Sequence, residues 1–235
     1  MLLDIRYDKE VKPEIVSGGK DGFSLSDILN ILKNPAFIYI AMLCLTFYAA
    51  VFPFLAFSPD FFLNKFDMTD IQSGEITSLL PLGTLIFTPL FGFLIDRYGR
   101  AASAMIFGSA LLVIIHLLFA FTGLQPHAPM ILLGVAFSLV PAAMWPSMVK
   151  LVDEKQIGTA YGLMYSIQNL GLFGIPILAG VILDATNKDG AAKLDYTPTM
   201  IMFIGLGLLG LVFSFLLKYE DKRNNRGIDL PLNKK

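Results

Sequence analysis

A stripe of polar and aromatic residues interrupts one of the most apolar stretches of this chain. Its members follow a spacing of i, i+4, i+7 and i+8, which places them on one face of a helix: Tyr161, Tyr165, Gln168 and Asn169. Amide and phenol groups in hydrocarbon are unfavourable unless they are paired, so this face must contact protein or water. The stripe either supplies hydrogen bonds to a polar solute, through Tyr165, Gln168 and Asn169, or ties neighbouring helices together.

The single tryptophan of the chain, Trp145, follows Pro141 and directly precedes Pro146. A tryptophan near the end of an apolar segment is often an interfacial anchor. The flanking prolines and small neighbours favour a second interpretation, in which the indole ring forms a cavity wall and stacks on a substrate. Tyr48 and Phe52 share one face of an earlier apolar segment, and the Tyr48 hydroxyl needs a partner, so both are further candidates for that wall.

A short charged turn between two apolar segments is the most informative pattern in the sequence. It reads Gly92-Phe-Leu-Ile-Asp96-Arg97-Tyr-Gly99-Arg100. Gly92 permits a close helix approach, and Gly99 permits a tight turn. We expect Asp96 to pair with Arg97 or Arg100, or to face the N-terminus of a neighbouring helix. The pattern favours a mechanical role for these five residues over that of a plain charged turn that follows the positive-inside bias.

Six apolar stretches must position these residues, at about 36–57, 72–95, 101–121, 129–149, 157–183 and 197–217. Each is long enough, at about 20 residues, to cross a bilayer as a helix. Of the 18 basic and 19 acidic residues, only Glu75 falls inside a stretch. The sequence therefore predicts an all-α, polytopic membrane protein with a six-helix bundle at 36–217. A cytoplasmic linker at 1–35, with a short amphipathic helix capped by Ser24 or Ser26, and a polar cytoplasmic tail at 218–235 are predicted to flank the bundle.

The basic residues are distributed unevenly between the two sides of such a bundle. Fifteen lie on the side that holds both termini and three on the other, so the termini are predicted to be cytoplasmic. The net charge of −1 says nothing about nucleic acid, but no basic patch interleaves with aromatics, so no nucleic-acid partner is predicted. No metal-ligand spacing, phosphate-binding loop or Ser/His/Asp set is present in the sequence, so we predict no metal, no cofactor and no enzyme.

The charged turn resembles the signature loop of the major facilitator superfamily of transporters, in its residues and in its place between the second and third spans. Longer runs resemble the second half of the lysosomal dipeptide uniporter branch of that superfamily and its bacterial relatives: Phe47–Phe54, Met144–Pro146 and Gly158–Gly171. The resemblance implies one six-helix half of a twelve-helix carrier that works by alternating access. Residues 1–35 then correspond to the linker between the halves, and the loop latches one conformation.

The resemblance also implies facilitated diffusion of dipeptides or other small peptides. The residues expected to face the substrate are Tyr48, Phe52, Trp145, Tyr165, Gln168 and Asn169. The proline-containing spans one, two, four and five would line the cavity, while spans three and six would face lipid. The implied partners are the bilayer, a peptide-like solute, and either a missing N-terminal half or a second copy.

Two other functions remain open: a non-transporting membrane subunit, and a proton-coupled carrier of another small solute. The expected location is the inner membrane in a bacterium, or the lysosomal membrane if the protein is like the animal branch.

Overall fold

A computed structural model describes residues 25–187 and 192–231. Its helices are α1 Leu25–Lys33, α2 Pro35–Phe66, α3 Asp70–Tyr98, α4 Ala101–Phe121, α5 His127–Val149, α6 Ile157–Thr186 and α7 Thr197–Asn224. A 3₁₀ turn at Glu154–Gln156 precedes α6, and these described ranges contain no strand. Most of the predicted linker, including Ser24, and the last four residues of the predicted tail lie outside the described residues.

Helices α2 to α7 are each long and apolar enough to cross a bilayer. This confirms the predicted all-α, six-span architecture. Two helices continue well past the apolar stretches: α2 runs through Pro53 and Pro59 to Phe66, and α7 runs to Asn224. Near the prolines, the Ser58 hydroxyl donates to the Leu55 carbonyl over 2.9 Å, as side chains in membrane helices commonly do where proline leaves a backbone group unpaired.

The packing of the six long helices follows a simple order. Helix α7 lies between α2 and α4, α5 packs on the other side of α4, and the flanks are α3 against α5 and α6 against α2. At the crossing of α3 and α5, a Cβ atom on Gly83 would lie 3.3 Å from the Cα of Gly134. The two backbones therefore approach as closely as small residues allow, which is how membrane helices gain packing energy without a hydrophobic driving force.

Burial divides the six helices in a way that the proline pattern did not predict. In their most apolar stretches 67% of α2 and 56% of α5 are buried, but only 6% of α3 and 17% of α6. Helices α4 and α7, expected to face lipid, are buried to 50% and 39%. The reason is topological: each flank helix packs mainly against one neighbour, whereas α4 and α7 each have two.

The connections gather at two ends of the bundle. At one, which we call the α1 end, Asn34 Nδ2 donates to the Leu151 carbonyl over 2.8 Å, and Gln156 Nε2 donates to Asp27 Oδ1 over 3.0 Å. These bonds join α1 and the start of α2 to the α5–α6 connection. At the opposite end, the Leu194 amide donates to Asn64 Oδ1 over 2.9 Å, which joins the α6–α7 connection to the end of α2.

Candidate functional site

Trp145 lies at the centre of an aromatic stack between α5 and α6. Its ring is stacked on Tyr165 at a centroid distance of 4.7 Å and on Tyr161 at 5.7 Å. Its indole Nε1 donates a hydrogen bond of 3.1 Å to the hydroxyl of Tyr48 on α2. The indole is thus fixed by two rings and one hydrogen bond, so three helices determine its orientation.

The aromatic cluster continues along α2 and α5. Tyr48 is stacked on Phe52 at 5.6 Å, and Phe137 meets the edges of both rings at 5.6 and 5.3 Å. We call these six side chains the aromatic cluster: Tyr48, Phe52, Phe137, Trp145, Tyr161 and Tyr165. One side of it is open, because Tyr165 is 51% exposed and Phe52 39%, whereas Tyr48 is only 8% exposed.

Helical spacing explains how the sequence brings this cluster together. Tyr48 and Phe52 are one turn apart on α2, Tyr161 and Tyr165 are one turn apart on α6, and two turns separate Phe137 from Trp145 on α5. Each helix therefore contributes two rings from one face. The four predicted residues Tyr48, Phe52, Trp145 and Tyr165 lie together here.

Phe137 and Tyr161 are cluster members that the sequence did not single out for the site. Both could have been found by their spacing. Tyr161 belongs to the polar stripe, and Phe137 lies on the helical face that carries Pro141 and Trp145.

Gln168 and Asn169 are adjacent in sequence but have different surroundings. Gln168 is buried, and its Oε1 accepts a hydrogen bond from the Cys44 thiol on α2 over 3.5 Å. Asn169 is exposed, and its Nδ2 donates to the Tyr165 carbonyl of its own helix over 2.8 Å. The hydrogen bond between Gln168 and Cys44 therefore joins α6 to α2, one turn along α2 from Tyr48. Asn169 lies beside the open side of the aromatic cluster.

The chemistry available in the aromatic cluster is stacking and hydrogen bonding, without charge. Its six members carry three phenol hydroxyls, one indole N–H and no ionisable group that is charged at neutral pH. Such a surface can stack on planar groups, including peptide bonds and aromatic side chains. It can also attract an ammonium group to the ring faces. It offers nothing that could act as a nucleophile or a general acid–base pair at neutral pH.

The predicted latch residues lie at the α1 end, where α3 gives way to α4. Within the described residues Asp96 makes no ion pair with Arg97 or Arg100, so the first of its two expected contacts is not observed. Adjacent helical positions point about 100° apart, which separates Asp96 from Arg97. Arg97 instead lies over the rings of Phe93 and Tyr98, at 6.0 and 5.5 Å.

The two glycines of the loop differ in what they do. A Cβ atom on Gly92 would meet nothing within 4 Å, so no described helix approaches closely there, contrary to expectation. Gly99 ends α3 with φ of +72°, and its amide donates to the Ile95 carbonyl over 2.8 Å. Arg100 follows with φ of +64°. Two consecutive residues with positive φ make the tight turn that the sequence predicted.

A polar cluster at the opposite end lines a cavity of about 220 Å³, together with Phe61, Phe119 and Met200. Lys65 donates to the carbonyls of Phe119 and Ala120, the last turn of α4. Hydrogen bonds from Thr197 lower the pKa of Asp195 below its usual range. Burial, and then the hydrogen bond to the Asp60 carboxylate, raise the pKa of the Tyr196 phenol. These contacts fasten the connections to one another.

Comparison with known proteins supports the family that the charged loop and the six long helices suggest. The model of the Major Facilitator Superfamily matches residues 37–232. The lysosomal dipeptide transporter MFSD1 of Mus musculus is 36% identical over 234 residues, which covers 95% of this chain and 48% of the relative. Its counterpart in Danio rerio is 36% identical, with 97% and 47% covered, and that of Gallus gallus is 39% identical, with 77% and 40% covered.

The chain spans about half the length of the curated relatives it matches. The match includes the charged loop and the aromatic cluster, and it covers all six long helices in whole or in large part. The chain is therefore an integral, multi-pass membrane protein that belongs to the major facilitator superfamily of transporters.

Proposed function

We propose that this chain is one six-helix half of an alternating-access carrier, and that the carrier moves dipeptides or other small peptides by facilitated diffusion. The observation that carries the proposal is the aromatic cluster, with one open side at Tyr165 and Phe52. The printed name of the relatives, lysosomal dipeptide transporter, supports peptides as the solute class.

The composition of the aromatic cluster suits a peptide better than an ion. A dipeptide presents a planar amide and an ammonium group, and both interact favourably with ring faces. The Tyr165 hydroxyl and the exposed Asn169 amide add hydrogen-bonding groups beside the open side. The carboxylate of a peptide finds no cation among the six rings, so its partner must come from elsewhere in the complete carrier.

The exposed faces of α3 and α6 support a second half. On α6 the exposed residues Gly158, Gly162, Ser166 and Asn169 follow helical spacing along one side. A Cβ atom on either glycine would meet nothing within 4 Å. Small and polar residues on a membrane helix favour contact with another helix rather than with lipid. A missing N-terminal half, or a second copy of the chain, is the proposed cover for this face.

The proposed orientation places the α1 end in the cytoplasm. That end carries the loop residues Arg97 and Arg100 and the connection residues Lys150 and Lys155, while Lys65 and Lys193 lie at the opposite end. Excess of Lys and Arg marks the cytoplasmic side. The proposed location is the inner membrane in a bacterium, or the lysosomal membrane if the protein follows the relatives' name.

Counterflow of a labelled dipeptide into proteoliposomes tests the proposal. It is measured with the chain alone, with the chain and a separate first-half partner, and with the two joined in one polypeptide. We expect flux with both halves, and we expect Trp145→Ala to lower kcat/KM about tenfold, which corresponds to about 1.4 kcal/mol of lost stacking and hydrogen bonding. Phe107→Ala is the matched control. This α4 residue is also a large, exposed aromatic but lies outside the aromatic cluster.

Each outcome separates the alternatives. Flux through the chain alone would show that two copies form the carrier. Wild-type flux in Trp145→Ala would remove the aromatic cluster from the substrate path. Folded protein without flux in any combination would favour a non-transporting subunit. Flux that requires a proton gradient would favour the proton-coupled carrier.

A further inference from the structure

The N-terminus of α4 lacks a cap of its own. Arg100 occupies the N-cap position, and its side chain makes no capping hydrogen bond. The first turn of α4 contains no acidic residue. The first amides of a helix have no partner within the helix, so a buried helix start needs acceptors from elsewhere.

Asp229, from the segment that follows α7, supplies these acceptors. Its carbonyl oxygen accepts the Arg100 amide over 2.8 Å, and its Oδ1 accepts the Ala102 amide over 2.8 Å. Its Oδ2 lies 3.9 Å from Lys218 Nζ, which also donates to the Ser103 hydroxyl over 2.5 Å. One residue thus fills the N-cap role for a helix that begins 128 positions earlier, since α4 begins at Ala101.

The segment that carries Asp229 is itself held firmly; we call residues 225–231 the strap. The Lys150 ammonium donates to three strap carbonyls, those of Gly227, Ile228 and Leu230, over 3.1, 3.3 and 2.8 Å. Ile228 is fully buried, and its amide donates to Asp221 Oδ1 over 2.9 Å. The strap therefore joins the ends of α5 and α7 to the start of α4.

Gly99 shows that the loop and the strap are fitted to each other. A Cβ atom at Gly99 would lie 2.3 Å from the Asp229 carbonyl oxygen and 2.8 Å from the Pro231 nitrogen. Real Cβ contacts are longer than this, so any side chain here would displace the strap. The glycine is required by its positive φ and, independently, by the strap that lies against it.

We propose that Asp229 is a positioning residue for the signature loop, and that the strap sets the conformation of that loop during transport. The loop would then be a three-part element: the Gly99–Arg100 turn, the first turn of α4, and the strap that caps it. The effect on transport rests on the proposed function. The effect on the loop does not, so the two can be measured separately.

Hydrogen exchange on the full chain in lipid nanodiscs tests the positioning role. In Asp229→Ala, we expect the amides of residues 100–104 to exchange about fivefold faster, as expected when a cap is lost. Asp229→Asn retains an acceptor oxygen and should stay within about twofold of wild type. Lys218→Gln should also stay within about twofold, because its ion pair is long and partly exposed.

Gly99→Ala provides the reciprocal measurement. It leaves Asp229 intact but pushes on the strap, so the amides of residues 227–230 should exchange faster while those of α2 are unchanged. Asp67→Asn is the control, because this carboxylate lies at the opposite end, in an exposed pair with Lys193. Unchanged exchange at residues 100–104 in Asp229→Ala, or equal acceleration in Asp67→Asn, would overturn the positioning role.

Counterflow in the complete carrier tests the consequence for transport. We expect Asp229→Ala to change kcat at least about threefold while KM stays within about twofold, because the strap lies at a helix end, away from the aromatic cluster. Asp229→Asn should restore most of kcat. A change in KM alone, or no change, would overturn the link to transport. A wild-type carrier that moves no peptide would overturn the proposed function, while exchange would still decide the role of Asp229.

Discussion

Helices α3 and α4 are consecutive along the chain, yet their ends are stabilised in opposite ways. Helix α3 carries its own signals: Thr69 and Gln72 form a reciprocal capping box, Asp70 lies in the first turn and Arg97 in the last. Helix α4 has no acidic residue in its first turn and no basic residue in its last. Both ends of α4 are completed by other parts of the chain.

Other parts of the chain supply a charge at each end of α4, and the sign of each charge complements the helix dipole. The Asp229 carboxylate lies at the N-terminus, and the Lys65 ammonium lies at the C-terminal carbonyls. An anion at the start and a cation at the end both complement the helix dipole. The exposed flank helix α3 is thus specified locally, whereas the central helix α4 is specified by tertiary contacts.

Lys65→Met should have the largest effect of the changes that test this comparison. It removes the cation and both donors from the last turn of α4, and we expect a loss of about 2 kcal/mol of unfolding free energy. Cys44, the single cysteine of the chain and fully buried, lets a thiol-reactive dye report thermal unfolding without further engineering.

Lys193→Met is the control for Lys65→Met. It removes a lysine from the same end, but from a pair whose side chains are 57% and 72% exposed, so stability should barely change. Equal losses in both variants would show that the C-terminus of α4 does not depend on Lys65 in particular.

Thr69→Ala should have a smaller and strictly local effect on α3. It removes one half of the capping box, and we expect a loss of about 1 kcal/mol, seen as faster hydrogen exchange in the first turn only. Ser78→Ala, which removes an exposed hydroxyl bonded within the same helix, should leave exchange there unchanged. Loosening that spreads to α4 would contradict the local character of the α3 cap.

The smallest effect should come from changing the cap of α7, whose N-terminus is capped locally by Asp195. Its Oδ1 accepts the Thr197 amide over 2.8 Å, and its pKa is lowered from an ordinary value of 3.8. A lowered pKa means that this stabilisation is present above about pH 4 and is lost as the pH falls further. Asp195→Asn should therefore reduce the loss of melting temperature in acid.

Tyr196→Phe is the opposite control for the pH measurement. The pKa of the Tyr196 phenol is raised, so its contribution is complete below about pH 10 and disappears only as the pH rises further. In this variant the melting temperature should fall in acid as it does in the wild type, and only its dependence on pH in the alkaline range should change. If the loss of melting temperature in acid were unchanged in Asp195→Asn, the Asp195 cap would be excluded as the cause of that loss.

The difference between α3 and α4 also explains how much of the fold could be predicted. Long apolar runs marked all six helices, since bilayer thickness dictates their length. The extension of α2 beyond Phe57 was not predicted, because Pro59 and Asp60 suggest the end of a helix in isolation. Near its end, Lys65 contacts α4 and Asn64 contacts the α6–α7 connection, and no local pattern shows these contacts.

The candidate site was predictable to a similar extent. Residue type and helical spacing singled out Trp145 and Tyr165, and the structure stacks their rings, because large rings on facing helices pack against one another. Spacing could not separate Gln168 from Asn169, since the position of α2 decides which amide is buried. The Asp229 cap was invisible for the same reason, as it joins residues that only the packed bundle brings close.

The cap that Asp229 provides for α4 also has a consequence for the timing of folding during synthesis. Ala102 and Asp229 are 127 positions apart, so a ribosome adding about 5–20 residues per second completes Asp229 about 6–25 s after Ala102. During that interval α4 is already made but its first amides have no acceptor from the strap, while Lys65 is available for its other end from the moment α4 is complete. The first amides of α4 therefore gain their native acceptors only after the strap has been made, later than the last turn of the helix gains its native cation.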